Sequence, residues 1–161
     1  MKTIASFTID HMKLLPGIYV SRKDSLGEDK GSVTTFDIRM TRPNFEPVMN
    51  TAEIHALEHL GATFLRNHSE WASQIIYFGP MGCRTGFYFL TTKMSHEDAL
   101  ELTKDALEFV GNYEGEIPGV SAIECGNYRD HDLEGAKKEG KDQFEVLKNW
   151  TVEKLIYENN Y

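Results

Sequence analysis

Asn50-Thr51-Ala52-Glu53-Ile54-His55-Ala56-Leu57-Glu58-His59-Leu60 reads as the opening of an amphipathic helix. Asn50 suits the cap position, and Glu53, three residues on, suits its capping-box partner. Ile54, Leu57, Gly61, Phe64 and Leu65 carry an apolar stripe that predicts a helix from Thr51 to about Arg66. Gly61 costs about 1 kcal/mol relative to alanine there, and a close approach of another backbone is the expected reason for it. His55 and His59 fall one turn apart on one face, and Glu58 lies beside them within an arc of roughly 100°. Two imidazoles at that spacing can bind one metal ion. Glu58 then stands where a general acid or base belongs.

Outward from this helix, the chain alternates extended and helical stretches. Both prolines of Thr41-Arg42-Pro43-Asn44-Phe45-Glu46-Pro47 oppose regular structure, so the helix is preceded by a loop. Before that loop, Val33 to Met40 predicts a strand, with Phe36, Ile38 and Met40 on one face. Val33, Thr35, Asp37 and Arg39 share the other face, where a solvated ion pair is the commoner outcome and a substrate clamp the sharper one. Ile18 to Arg22 predicts a strand, Lys23 to Gly31 a loop, and a short strand is expected through Phe7. After the helix, strands are expected at Ser73–Phe78 and Gly86–Thr92, and Ser95 with Asp98 caps a helix to about Val110. Ala122 to Cys125 suits a short strand, Asp132 to Lys138 a short helix stopped by Gly140, and Lys141 to Tyr157 a final amphipathic helix. This order lacks a β-α-β-α rhythm. It favours an α+β fold: a mostly antiparallel sheet with helices packed on one face, as a single domain over residues 1–161.

The formal net charge of −8, without a basic block, argues against nucleic acid and anionic membranes as partners. No apolar run is long enough to cross a bilayer, and Met1 to Phe7 lacks the apolar core of a signal peptide, so the expected location is the cytoplasm. Two cysteines, Cys83 and Cys125, sit in polar, turn-rich stretches rather than at core positions. In a reducing compartment that raises the weight of metal and catalytic roles. A catalytic metal site commonly has three protein ligands and one open position. Cys125 is a good third ligand, with Glu124 and His131 as rivals and His68 a weaker one. Gly82 and Gly86 around Cys83 permit close approach of a ligand, and the adjacent Arg84 would favour a thiolate.

Five segments resemble those of the S-ribosylhomocysteine lyases, the bacterial autoinducer-2 synthases. They are Ser6-Phe7-Thr8-Ile9-Asp10-His11, Phe36-Asp37-Ile38-Arg39, His55-Ala56-Leu57-Glu58-His59, Gly79-Pro80-Met81-Gly82-Cys83-Arg84-Thr85-Gly86-Phe87-Tyr88 and Glu124-Cys125-Gly126-Asn127-Tyr128-Arg129-Asp130-His131. They occur in matching order from about Ser6 to Lys138, and the tail beyond matches weakly. The resemblance implies that His55, His59 and Cys125 hold one divalent metal per subunit, ferrous iron natively, with zinc or cobalt able to substitute. It implies that Cys83 and Glu58 are the acid/base pair, and that Ser6, His11 and Arg39, with Asp37, contact substrate. It also implies a homodimer with active sites at the interface. The implied reaction converts S-ribosylhomocysteine to homocysteine and 4,5-dihydroxy-2,3-pentanedione. Two departures stand out: Ala56, where the family more often has threonine or serine, and Tyr77, where many members have aspartate. The second is expected to alter hydrogen bonding near the Cys83 loop.

Two other readings compete. His-x-x-Glu-His is also the order of inverted zinc peptidases, which would need a downstream glutamate such as Glu101 or Glu108 as third ligand. A structural metal-binding module would close its site with four ligands and carry no reactive thiol.

Overall fold

The computed structural model describes residues 1–157. Four strands form one antiparallel sheet: β1 (Gly17–Ser25), β2 (Ser32–Arg39), β3 (Ile75–Pro80) and β4 (Gly86–Thr92), in the spatial order β1-β2-β4-β3. Three helices, α1 (Thr51–Arg66), α2 (His96–Gly111) and α3 (Leu133–Leu147), pack against it in one buried apolar cluster. This is the α+β arrangement expected.

Strand pairing fixes which residues meet the helices. Phe36 lies opposite Phe89, and Ile38 opposite Phe87, all four buried. Because side chains alternate along a strand, Asp37, opposite Tyr19 and Tyr88, faces the other way. That second face is not solvated. The chain after α3 returns along it: Tyr157 stacks on Tyr19 at 4.8 Å, and Trp150 Nε1 donates to the Ile18 carbonyl at 3.1 Å. Asp37 and Arg39 are therefore only 1% and 3% exposed, and the exposed ion pair expected as the commoner outcome does not form.

α1 has the predicted bounds, and Glu53 accepts the Asn50 backbone N–H at 2.9 Å. Gly61 is explained by a ring rather than a backbone, since a Cβ there would lie 2.6 Å from Phe78. Several boundaries differ from expectation. β1 runs on to Ser25 because Lys23, Asp24 and Ser25 pair with Thr34, Val33 and Ser32. Ala5–Phe7 is a 3-10 turn, not a strand, and Ala72–Gln74 is another, so β3 begins at Ile75. Residues 122–124 form a turn rather than a strand, with the Cys125 N–H donating to the Ser121 carbonyl at 3.0 Å. α3 passes straight through Gly140 and ends at Leu147. Gly140 is the contact with α2: a Cβ would sit 3.1 Å from the Leu107 carbonyl and 3.0 Å from the Gly111 nitrogen. The long final helix is thus replaced by α3, a turn and the 3-10 segment Val152–Leu155.

Candidate active site

α1 presents His55 and His59 with ring centroids 4.7 Å apart. The connection from α2 to α3, residues 112–132, wraps onto these rings. His55 Nδ1 is 2.9 Å from the Asp130 carbonyl, and His59 Nδ1 is 2.8 Å from the Pro118 carbonyl. A carbonyl only accepts, so both Nδ1 atoms carry the proton and both Nε2 atoms keep a lone pair. Gly119 makes this possible: its φ is +75°, and a Cβ would lie 3.3 Å from His59 Nδ1.

The same wrapping brings Cys125 and His131 to the pair. The ligand atoms of His55, His59, Cys125 and His131 all lie within 4.8 Å of one another, and each residue is half-buried. Cys125 Sγ is 3.4 Å from His55 Nε2 and 3.8 Å from His131 Nε2. Two ligands of one tetrahedral zinc, at usual Zn–S and Zn–N lengths, stand about 3.6 Å apart. Donor set, spacing and fixed tautomers therefore fit a divalent metal. His131 stacks on His55 at 3.8 Å, and its Nδ1 is buried without a hydrogen-bond partner among the described residues. Burial, aided by His55 and His59, holds the His131 imidazole below the usual histidine range, the neutral form that a ligand needs. Of the other proposed third ligands, Glu124 is exposed and bonded to Ser121 Oγ at 2.6 Å. His68 closes the end of α1, where its Nδ1 accepts the Glu70 and Trp71 N–H groups at 3.2 Å. Glu101 and Glu108 are exposed on α2, Glu101 paired with Lys104 at 2.7 Å. Glu58 is half-buried on α1, next in sequence to His59.

A second group of residues lies at the β3–β4 turn. Cys83 is exposed there. The cation near its sulfur is Arg39 rather than Arg84: Arg39 Nη1 is 3.9 Å from Cys83 Sγ, whereas Arg84 Nη1 reaches the Met49 carbonyl at 3.4 Å. Burial disfavours the Arg39 charge, but Asp37 more than offsets it and holds the guanidinium above its ordinary range. Asp37 takes Arg39 Nε at 3.1 Å on one oxygen and Nη2 at 2.6 Å on the other, and the second oxygen also accepts the Tyr157 hydroxyl at 2.9 Å. Asp37 is thereby enclosed, and its geometry serves to hold Arg39. Gly86 answers to the sheet, since a Cβ would lie 2.5 Å from the Ile38 carbonyl, while Gly82 has open space around it. Tyr77 folds its ring over Gly79 and is partly exposed.

Cys83, Thr85 and His11 line one cleft with the loop Pro43–Val48. His11 is fixed by Nδ1 against the Ile9 carbonyl at 2.8 Å, and Ser6 is half-buried in the preceding 3-10 turn. None of the four clustered metal-type donors lines that cleft. Within one chain the clustered donors and the Cys83 cleft are thus two separate groups of residues. Sequence reasoning missed Thr85 and Tyr157. Thr85 lay in a quoted segment, two residues from Cys83, while no local pattern marked Tyr157.

The family model described as S-Ribosylhomocysteinase (LuxS) matches residues 4–154. A protein of Finegoldia magna named S-ribosylhomocysteine lyase is 58% identical over 98% of this chain and 99% of its own length. One of the same name from Clostridium beijerinckii is 54% identical over 99% and 100%, and one from Borreliella afzelii 49% over 98% and 99%. The similarity therefore continues past Lys138, through the segment expected to match weakly.

Proposed function

The chain belongs to the S-ribosylhomocysteinase (LuxS) family, and on that premise we propose that it cleaves S-ribosylhomocysteine to homocysteine and 4,5-dihydroxy-2,3-pentanedione, the autoinducer-2 precursor. The observation that carries the reading is the pairing of a His/His/Cys/His donor group with a solvent-facing thiol beside a buried guanidinium. Moving a carbonyl along a sugar needs an oxygen-polarising centre and groups that shuttle protons, not an acyl-enzyme nucleophile. The peptidase alternative is not favoured, because the donors beside His55 and His59 are Cys125 and His131, not a glutamate.

His55, His59 and Cys125 hold one divalent metal per subunit, ferrous iron natively, with zinc or cobalt as substitutes. The bound ion supplies Lewis acidity toward the sugar's oxygens. Cys83 and Glu58 move the protons. A thiolate or carboxylate takes the proton from the carbon beside the carbonyl and returns it to the carbonyl carbon, while a hydroxyl proton passes from the one oxygen to the other, so the aldehyde at C1 becomes a ketone at C2 and then at C3. Removal of the C4 proton then expels the homocysteine thiolate from C5, that thiolate takes up a proton, and the enol left behind moves its C4 hydroxyl proton to C5 to give the methyl ketone of the product. Ser6, His11 and Arg39 orient the substrate, and Asp37 keeps Arg39 in place. The two functional groups of each chain are joined by homodimerisation, which builds each active site from both subunits across one continuous lyase domain of residues 1–161. The enzyme works in the cytoplasm, and no helix among the described residues is long and apolar enough to cross a membrane.

The test is release of homocysteine from S-ribosylhomocysteine by metal-replete protein, read with a thiol reagent against the enzyme's own cysteines. No release would sink the assignment. Cys125→Ala is expected to lose metal. Cys83→Ala is expected to keep it and lose turnover.

A further inference from the structure

Thr85 is the residue through which Arg39 meets Cys83. Its Oγ1 lies 2.7 Å from Arg39 Nη1 and 3.1 Å from Cys83 Sγ. A guanidinium can only donate, so the Thr85 oxygen accepts from it and the hydroxyl proton is left for another acceptor. The Cys83 sulfur is in reach of that proton. Arg39 and the Thr85 backbone are both held in place. Arg39 is clamped through Nε and Nη2 by Asp37 at 3.1 and 2.6 Å. The Thr85 carbonyl accepts the Met40 and Thr41 N–H groups at 2.9 and 3.2 Å, and the residue is buried.

We propose that Thr85 is a catalytic residue, a hydroxyl donor aimed by Arg39 that holds Cys83 as a thiolate. This rests on the reading of Cys83 as a proton shuttle. A thiol is a weak donor and a thiolate a strong, charged acceptor, so the Thr85 bond favours the charged form. The guanidinium 3.9 Å from the sulfur acts in the same direction. In each transfer that Cys83 carries, its thiolate takes a carbon-bound proton, becomes a thiol and gives the proton back to the adjacent carbon. The Thr85 proton stays on its oxygen throughout and turns toward the sulfur whenever the sulfur is charged.

The test uses metal-replete protein carrying Thr85→Val, which keeps the shape and removes the hydroxyl, and Thr85→Ser, which keeps the hydroxyl. Thiolate content is read as the ultraviolet absorbance that disappears when Cys83→Ala is added to each background, and reactivity as the rate of alkylation by iodoacetamide. A lost hydrogen bond to a charged acceptor lowers the thiolate equilibrium about tenfold. A more basic thiolate is also the better nucleophile, so where thiolate is the minor form alkylation slows about threefold. Thr85→Ser should alkylate at the native rate. A native rate in Thr85→Val overturns the proposal and leaves the role of Cys83 standing. If Thr85→Val does not fold, a Thr85→Ser protein slowed about threefold or more overturns it as well. Retained turnover in Cys83→Ala instead brings down the underlying reading.

Discussion

Replacing Asp37 by alanine removes the carboxylate paired with a guanidinium only 3% exposed. The variant takes from Arg39 Nε and Nη2 the acceptors that Asp37 supplies, and from the Tyr157 hydroxyl its contact with Asp37. Breaking a buried ion pair by deleting one partner costs about 3–5 kcal/mol, because the remaining charge stays desolvated. Screening does not reduce this, since both side chains are almost wholly enclosed. For a chain of this size each kcal/mol moves the melting temperature by roughly 2–4 °C, so the expected drop is roughly 6–20 °C. Thermal unfolding followed by circular dichroism, at fixed protein and metal concentration, measures it. Asp37→Asn, which keeps the shape and one oxygen acceptor, should fall between the two. A drop of less than about 2 °C for Asp37→Ala would refute the reasoning, because it would mean that water or another anion compensates Arg39.

Stripping the metal with a chelator should lower the melting temperature. An ion at a thousandfold excess over its Kd stabilises by about 4 kcal/mol, and differential scanning fluorimetry before and after reloading reads the shift. Mixed protomers carrying Cys83→Ala and Cys125→Ala should recover homocysteine release that neither variant shows alone, since the thiol cleft contains none of the clustered donors. An inactive mixture with verified subunit exchange would place both groups of one active site in a single chain. Burial, with Asp37 alongside, pushes the Tyr157 phenol well above its ordinary value. An unfolded tyrosine gives up its proton near pH 10 while the folded one keeps it, so Tyr157 adds stability below that pH and loses it above. The stability deficit of Tyr157→Phe, measured by urea unfolding, should therefore narrow as the pH rises beyond about 10.

Capping and strand alternation are legible locally. The capping pairs Asn50/Glu53 and Ser95/Asp98 marked where α1 and α2 start, and alternation placed Phe36 and Ile38 toward the core. The histidine pair was legible because helix spacing fixes it. What failed depended on distant packing. Gly140 looked like a stop because glycine is a poor helix former, yet helix-to-helix contact with Gly111 and Leu107 overrides propensity there. The Asp37–Arg39 pair looked solvated because nothing local announces that residues 150–157 cover it. The cation beside Cys83 was misread as Arg84 for the same reason. Sequence adjacency suggested Arg84, while its φ of +61° turns the chain and pairing of β2 with β4 delivers Arg39.

The two imidazole–carbonyl bonds at Pro118 and Asp130 have a consequence for loop order. Residues 112–132 form a long connection with no strand or helix of its own, tied to α1 by these bonds and by the Asp132 N–H on the Ala52 carbonyl at 3.0 Å. The rings that aim their Nε2 atoms also fasten the loop that delivers Cys125 and His131. Ion affinity and loop rigidity are then one quantity seen from two sides. A side chain at Gly119, several residues from any donor atom, would tilt the His59 ring, release the loop and raise its amide exchange together.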